Sequence, residues 1–332
     1  MALLEGYQRF TFTRGQFGHD RVLTATITGN NPVNGVDEQM HHELARVFTD
    51  TSPLIILALG QMVVILTKCI DLSVAANLAL AGMIAAMMNG AGVPLPLILL
   101  VVIALGAALG AVNGLMVWQL GIPSIVVTLG TMTIYRGTIF LLTDGKWINA
   151  HQMTDAFKAF PRAVVLGLPV MGWIAVAVIA GFAVLVNRTA LGRAFYAVGG
   201  NPHAAVYTGI SVGRTQCAAF VISGALAGFA GYLWVARYAV AYVDIAGGFE
   251  LDVVAACVIG GIAIAGGAGS VAGCVMGALF LGIVKNALPV VGISPFWQMA
   301  ISGSAILIAI AFNARRSGPQ GRIILKHAEH RA

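Results

Sequence analysis

The chain has 332 residues, of which 58% are hydrophobic and only 10% charged, with a net charge of +6 and a mean hydropathy of +0.88. A soluble domain carries roughly a quarter of its residues as charges. This composition therefore excludes an ordinary soluble globular protein, because too little polar surface exists to face water.

The charges gather at the ends of the chain. Ten of 32 lie in residues 1–50 and six in 315–332. This divides the chain into an atypical polar segment (1–50), an apolar body (51–314) and a basic tail (315–332). Segment 1–50 holds four Arg, six acids and the turn-rich stretch TGNNPVNG, with no apolar run long enough to cross a bilayer. It also lacks the basic start and apolar core of a signal peptide. Its His41-His42 pair is too isolated to make a metal site.

From residue 53 onward, apolar runs of the length a membrane helix needs, roughly 20 residues, follow one another. Helices are predicted near 53–69, 72–91, 95–119, 122–143, 164–187, 214–236, 250–266, 268–288 and 296–313, about nine in all. Lipid offers backbone groups no water partner, so helices satisfying their own hydrogen bonds are expected. The fold class is an all-α polytopic membrane protein. Gly106, Gly110 and Gly114 recur at every fourth position, as do Gly224 and Gly228, then Gly273 and Gly277. That spacing sets small residues on one helix face, where backbones approach closely. Cys69, Cys217, Cys257 and Cys274 lie in or beside apolar runs without metal-ligand spacing, and read as small packing residues.

Between Thr51 and Asp144 the only charges are Lys68, Asp71 and Arg136. Ionisable groups in a membrane are costly and face a bundle interior or a water-filled cavity. Two readings stay open at each polar position. Asp71, Ser73 and Asn77 line a path and bind solute hydroxyls, or Asp71 caps the following helix and pairs with Lys68. Ser73 and Asn77 share a helix face, whereas Asp71 and Ser73 do not. Arg136 snorkels to the end of its span, or turns its donors toward a solute route. Glu250 and Asp252 open a span where a helix N-terminus favours carboxylates, or they form an outer gate or receive a binding protein.

Basic residues set the orientation. Loop 188–213 carries Arg188 and Arg193 and no acid, and the tail carries five basic residues against Glu329. Both are placed in the cytoplasm, the tail against anionic lipid and not nucleic acid. Loops 144–163 and 237–252 are placed outside, with Trp147 as a candidate interface anchor. Inside loop 188–213, Asn201-Pro202 is a helix start, because Asn caps and Pro suits the first turn. PHAAVYTG then gives about two turns, with Gly209 as the stop signal. Ala204 and Ala205 give this short helix a smooth, close-packing face.

The stretch TALGRAFYAVGGNPHAAVYTGI (189–210) resembles the cytoplasmic loop of permease subunits from the ribose-type branch of bacterial sugar ABC importers. LTKCIDLSVAA (66–76) resembles that family's Thr-Ser/Gly-Gly-Ile-Asp-Leu-Ser-Val-Gly signature. It departs with Cys69 and Ala75 where the family has Gly, and with the added charge of Lys68. GGFELDVVAACVIGGIAIAGGAGSVAG (247–273) resembles the family's Glu-Leu stretch ending in a Gly-rich hairpin. The match covers roughly 50–315 and rests on these three ordered motifs. IPSIVVTLGTMTIYRGTIFLLTDGKWI (122–148) is most similar to permeases for rhamnose and for autoinducer-2.

The resemblance implies a coupling helix in loop 188–213. It would dock on a cytoplasmic ATP-binding subunit through Arg193, Gly200, Asn201, Pro202, Ala204, Ala205 and Gly209. It implies a second permease subunit (a copy or a paralogue), a periplasmic solute-binding protein and a bacterial inner-membrane location. No G-x-x-x-x-G-K-[ST] loop occurs, so ATP and magnesium are expected on the partner. No catalytic residue, cofactor or metal site is expected in this chain. The implied function is inward passage of a monosaccharide or sugar-like solute. The alternative is a stand-alone secondary transporter of a small polar solute, for which only Asp71 offers a coupling-ion ligand in the first half.

Family members usually have about ten spans, the first lying before the stretch that matches 53–69. If 53–69 runs inward, residues 1–50 end outside without an exporting signal. Three expectations follow: an altered or truncated start, a segment held inside by a re-entrant first helix, or a tail that crosses unaided.

Overall fold

The computed structural model describes residues 9–17, 20–28 and 34–290, with side chains from 45 to 287, and isolated positions 297, 300, 303 and 304. Apart from those four positions, the predicted span 296–313 and the tail 315–332 lie outside the described residues. The chain divides into two compact units, Met1–Val47 and Phe48–Ala332. In the first, β1 (Arg9–Phe17) pairs antiparallel with β2 (Asp20–Thr28), Arg9 opposite Thr28 and Phe17 opposite Asp20. The alternation of Thr with larger residues in RFTFTRGQF and DRVLTATIT supplies the two-residue period of a strand. The sequence reading did not anticipate this hairpin.

The unit boundary falls inside α1 (Asn34–Leu66). Its stretch Ala45–Leu66 is long and apolar enough to cross a membrane, and every hydrophobic residue from Leu54 to Leu66 is buried. After a break at 67–73 comes α2 (Val74–Gly90), in which 13 of 17 residues are buried. A helix that is apolar all round belongs inside a protein, and α2 is packed on α3 (Leu95–Leu120), α4 (Ser124–Thr143) and α9 (Val212–Tyr238). By contrast α3 buries only a stripe, Ile98, Val102, Gly106, Gly110, Asn113 and Gly114. Its Leu97, Leu100, Ile103 and Val112 face outward, as side chains facing lipid do.

The glycine stripes meet as their spacing predicts. A Cβ on Gly106 would collide with the Gly224 carbonyl and Gly228, one on Gly110 with the Phe220 carbonyl, and one on Gly114 with Cys217. The helices α3 and α9 thus touch backbone to backbone. Gly82 of α2 meets Gly231 of α9 in the same way. Dispersion and short-range contact drive association where apolar transfer from water is absent, so these glycines set the closeness of the central helices.

Between α4 and α9 the chain forms a short 3₁₀ turn, α5 (Asp155–Arg162), α6 (Val170–Arg188), α7 (Ala190–Gly200) and α8 (Pro202–Tyr207). After α9 come α10 (Phe249–Ile259) and α11 (Val271–Val290). Five described helices are long and apolar enough to cross, and Val74–Gly90 and Val271–Ala287 are shorter apolar helices.

One predicted span is corrected. In place of a helix over 250–266, α10 stops at Ile259 after 11 residues, a rise of about 16 Å against a core of about 30 Å. Gly261, Gly266 and Gly267 adopt φ of +81°, +80° and +74°, a region that glycine alone enters freely. The chain turns back through Ala263 N donating to Ala268 O at 2.9 Å, and α11 begins at Val271. Gly260 packs on Gly273, and Gly277 on Ala256. Non-helical backbone at membrane depth is tolerated where protein covers it, and here Gly267 N donates to Leu66 O at 3.0 Å.

Candidate functional site

The polar contacts of the larger unit sort to the two ends of the helices. At the end that holds Leu66 lies the platform formed by α7 and α8. Thr189 caps α7 by accepting from Gly192 N at 3.1 Å, and Asn201 caps α8 by accepting from Ala204 N at 3.1 Å. Pro202 fills the first turn. Gly209, at φ +81°, turns the chain away. The cap, proline and stop signal read from the sequence are all in place. The close-packing alanine face is not. Ala205 is buried whereas Ala204 is exposed, because successive helix positions point about 100° apart. The outer surface of α8 is instead His203, Ala204, Val206 and Tyr207, the last 91% exposed. Arg193 and Gly200 are also exposed.

The platform is joined to the bundle by backbone. A Cβ on Gly199 would overlap Leu66 O and Gly267 N, so the end of α7, the end of α1 and the Gly-rich hairpin touch without an intervening side chain. Tyr196 Oη donates to Gly269 O at 2.9 Å. Burial raises its phenol above the ordinary range, which keeps it a donor. Gln216 Nε2, at the start of α9, donates to Thr67 O at 3.2 Å.

The break at 67–73 leads into a buried polar cluster. Ile70 N donates to Ser124 Oγ at 3.1 Å. Asp71 Oδ1 accepts from Ser73 N at 2.9 Å and from Ser73 Oγ at 2.6 Å. Asn113 Nδ2 of α3 donates to Ser73 Oγ at 2.8 Å, and Asn77 Nδ2 to Gly106 O at 3.2 Å. The Gln61 amide pairs with the Asp71 backbone, Nε2 donating to Asp71 O at 3.2 Å and Oε1 accepting from Asp71 N at 3.1 Å. Asp71 thus joins Ser73 across a turn. Neither the Lys68 pair nor a cap made by Asp71 itself is found, since Ser73 is the N-cap of α2. Lys68 adopts φ +65°, is exposed and forms no ion pair with Asp71. Asp71, Ser73 and Asn77 are no more than 2% exposed in the single subunit. Asn113 and Gln61 were missed, although an amide inside an apolar helix is itself a signal.

At the opposite end, α5 closes the bundle. Asn89 and Thr154 bond reciprocally at 2.9 Å, and Tyr232 Oη donates to Phe157 O at 3.1 Å. Arg136 is half-buried. Its Nη1 donates to Val243 O and Ile245 O, both at 2.7 Å, tying α4 to the turn before α10. Trp147 stacks on Tyr242 with centroids 4.7 Å apart. Glu250 and Asp252 occupy the first turn of α10, where the helix dipole favours them. Asp252 also binds Lys285 of α11 at 2.5 Å, and that ammonium sits over Phe249. Lys285 went unremarked in the sequence, although it is the one charge in 268–288. Among the described residues no group of three His, Cys, Asp or Glu is placed to hold a metal ion.

Residues 43–310 match the family described as the branched-chain amino acid transport system / permease component. The chain is 36% identical over 269 residues to the autoinducer 2 import system permease protein LsrC of Photorhabdus luminescens, covering 81% of each chain. It is 37% identical over 272 residues to LsrC of Enterobacter sp. (strain 638), covering 82% of this chain and 79% of that one. Against LsrC of Escherichia coli (strain K12 / DH10B) it is 35% identical with the same coverage. No solved structure matches the chain.

Proposed function

The chain belongs to the permease-component family of branched-chain amino acid transport systems, and from that premise we propose the membrane subunit of a binding-protein-dependent ABC importer for autoinducer-2. Rhamnose or a similar sugar is the nearest alternative cargo. The relatives named as autoinducer 2 import permeases support the cargo. The observation that carries the mechanism is α8, a capped two-turn helix that presents Val206 and Tyr207 outward. Behind it, α7 is held to the α1 end and the Gly-rich hairpin by backbone contact.

In this reading the α8 end faces the cytoplasm and docks on an ATP-binding subunit, which holds ATP and magnesium. Closure of that partner pushes α8 and α7 as a body. The displacement reaches Leu66, the hairpin of 260–270 and, through Thr67 and Gln216, α9. Ile70 extends it to Ser124 of α4. A second permease subunit completes the route, and a periplasmic binding protein delivers solute at the end closed by α5. Solute specificity rests mainly with that protein, because the buried amides and carboxylate lie inside one subunit.

The test is uptake in cells. With α8 intact, the chain should co-purify with its ATPase and support vanadate-sensitive uptake dependent on the binding protein. Replacing Val206 and Tyr207 together by Ser should leave the subunit in the membrane while uptake falls at least tenfold. Full uptake by the double variant, or uptake by the chain alone driven by an ion gradient, would defeat this reading.

A further inference from the structure

Asp71 is 1% exposed, and no Lys, Arg or His among the described residues pairs with it. A buried charge is paired, neutralised or bound to an ion. Around it the hydrogen bonds run one way, from Asn113 Nδ2 to Ser73 Oγ and from Ser73 Oγ to Asp71 Oδ1. The other side of each amide is left over. Asn113 Oδ1 and Asn77 Oδ1 are buried and have no partner, although Asn113 is 1% and Asn77 2% exposed. Asn113 Oδ1 is one amide carbon from the atom that holds Ser73. Asn77 stands one turn beyond Ser73 on the same face of α2.

The cluster therefore holds two buried amide oxygens without donors, beside a carboxylate that no basic side chain neutralises. A water molecule would satisfy the amide oxygens and leave the charge. A proton on Asp71 would remove the charge and supply one donor for two orphan oxygens. A divalent ion prefers more than one carboxylate and would leave a net positive charge in an apolar bundle. We propose that Asp71, Ser73, Asn77 and Asn113 bind a monovalent hard cation, Na⁺. The ion supplies the missing counter-charge and locks the start of α2 to α3. It is a resident of the subunit and carries no driving gradient, since the cluster is enclosed by α1, α2 and α3.

Thermal unfolding of the full chain in detergent tests this, with NaCl compared to N-methyl-D-glucamine chloride at equal ionic strength. Na⁺ at a tenfold excess over its dissociation constant should raise the unfolding temperature by about 3 °C. Asp71→Asn and Asn113→Leu should each lose that increment, whatever their own unfolding temperature. If Asp71→Asn does not fold, Asn113→Leu alone carries the comparison. Equal unfolding temperatures of the unsubstituted chain in the two salts would refute the site. So would an Na⁺ increment that survives in the folded variants.

Discussion

Gly199 and Gly200 are neighbours at the end of α7 with opposite surroundings. A methyl group on Gly199 would overlap Leu66 O and Gly267 N, whereas one on Gly200 meets nothing within 4 Å. Gly199→Ala should therefore separate α7 from the hairpin and cost on the order of 1–3 kcal/mol, the range for overpacked positions. Gly200→Ala should stay within about 0.5 kcal/mol of the parent. Thermal unfolding in detergent measures both, and equal losses would show that the backbone contact is not what holds the platform. Some residue-scale features were legible because they are local. Asn201, Pro202 and Gly209 act on their own backbone, and each does what its type prescribes. The roles of Ala204, Ala205 and Lys68 were not legible. Which alanine turns inward depends on where α9 lies, and a lysine three residues from an aspartate in a non-helical break has no fixed direction. The partners of Arg136 were not legible either, because the carbonyls of Val243 and Ile245 come from over 100 residues away.

Glycines also separate helices by partner. Those of α3 and α9 meet backbone, but Gly130 and Gly137 of α4 have nothing within 4 Å. Gly110→Val should abolish stable folding of the subunit, read as loss of monodisperse protein on size-exclusion chromatography. Gly137→Ala should leave yield unchanged or raise it slightly, since alanine is the better helix former by roughly 1 kcal/mol. The i+4 spacing made these contacts visible in advance. Two elements were hidden for the same reason, the abundance of glycine. Gly192, Gly199 and Gly200 made α7 look like a loop, yet tertiary contact keeps it helical to Gly200. The stretch 250–266 looked like a crossing because glycine and alanine are apolar enough to extend the run. Only the positive φ of Gly261, Gly266 and Gly267 reveals the turn.

At the scale of the whole subunit, the two ends are built differently. One is a network of side chains, with Arg136, Asn89, Thr154 and Tyr232 each bonded to a distant segment. The other is joined through Leu66, Gly199 and Gly267. A single cysteine placed by Tyr207→Cys should react with a membrane-impermeant maleimide only in inverted vesicles, and Trp147→Cys only in intact spheroplasts. Labelling of both from one side would break the alternation of passes. Charge placement predicts that alternation, whereas the pairing of ends came from contacts between segments far apart in sequence.

The three-way meeting at Gly199 has a practical outcome for anyone building hybrids of related permeases. Loop 188–213 is not a portable cassette. Its fit is moulded against main-chain atoms of two other segments, so a transplanted loop should work only when residues 64–70 and 260–270 travel with it from the same donor.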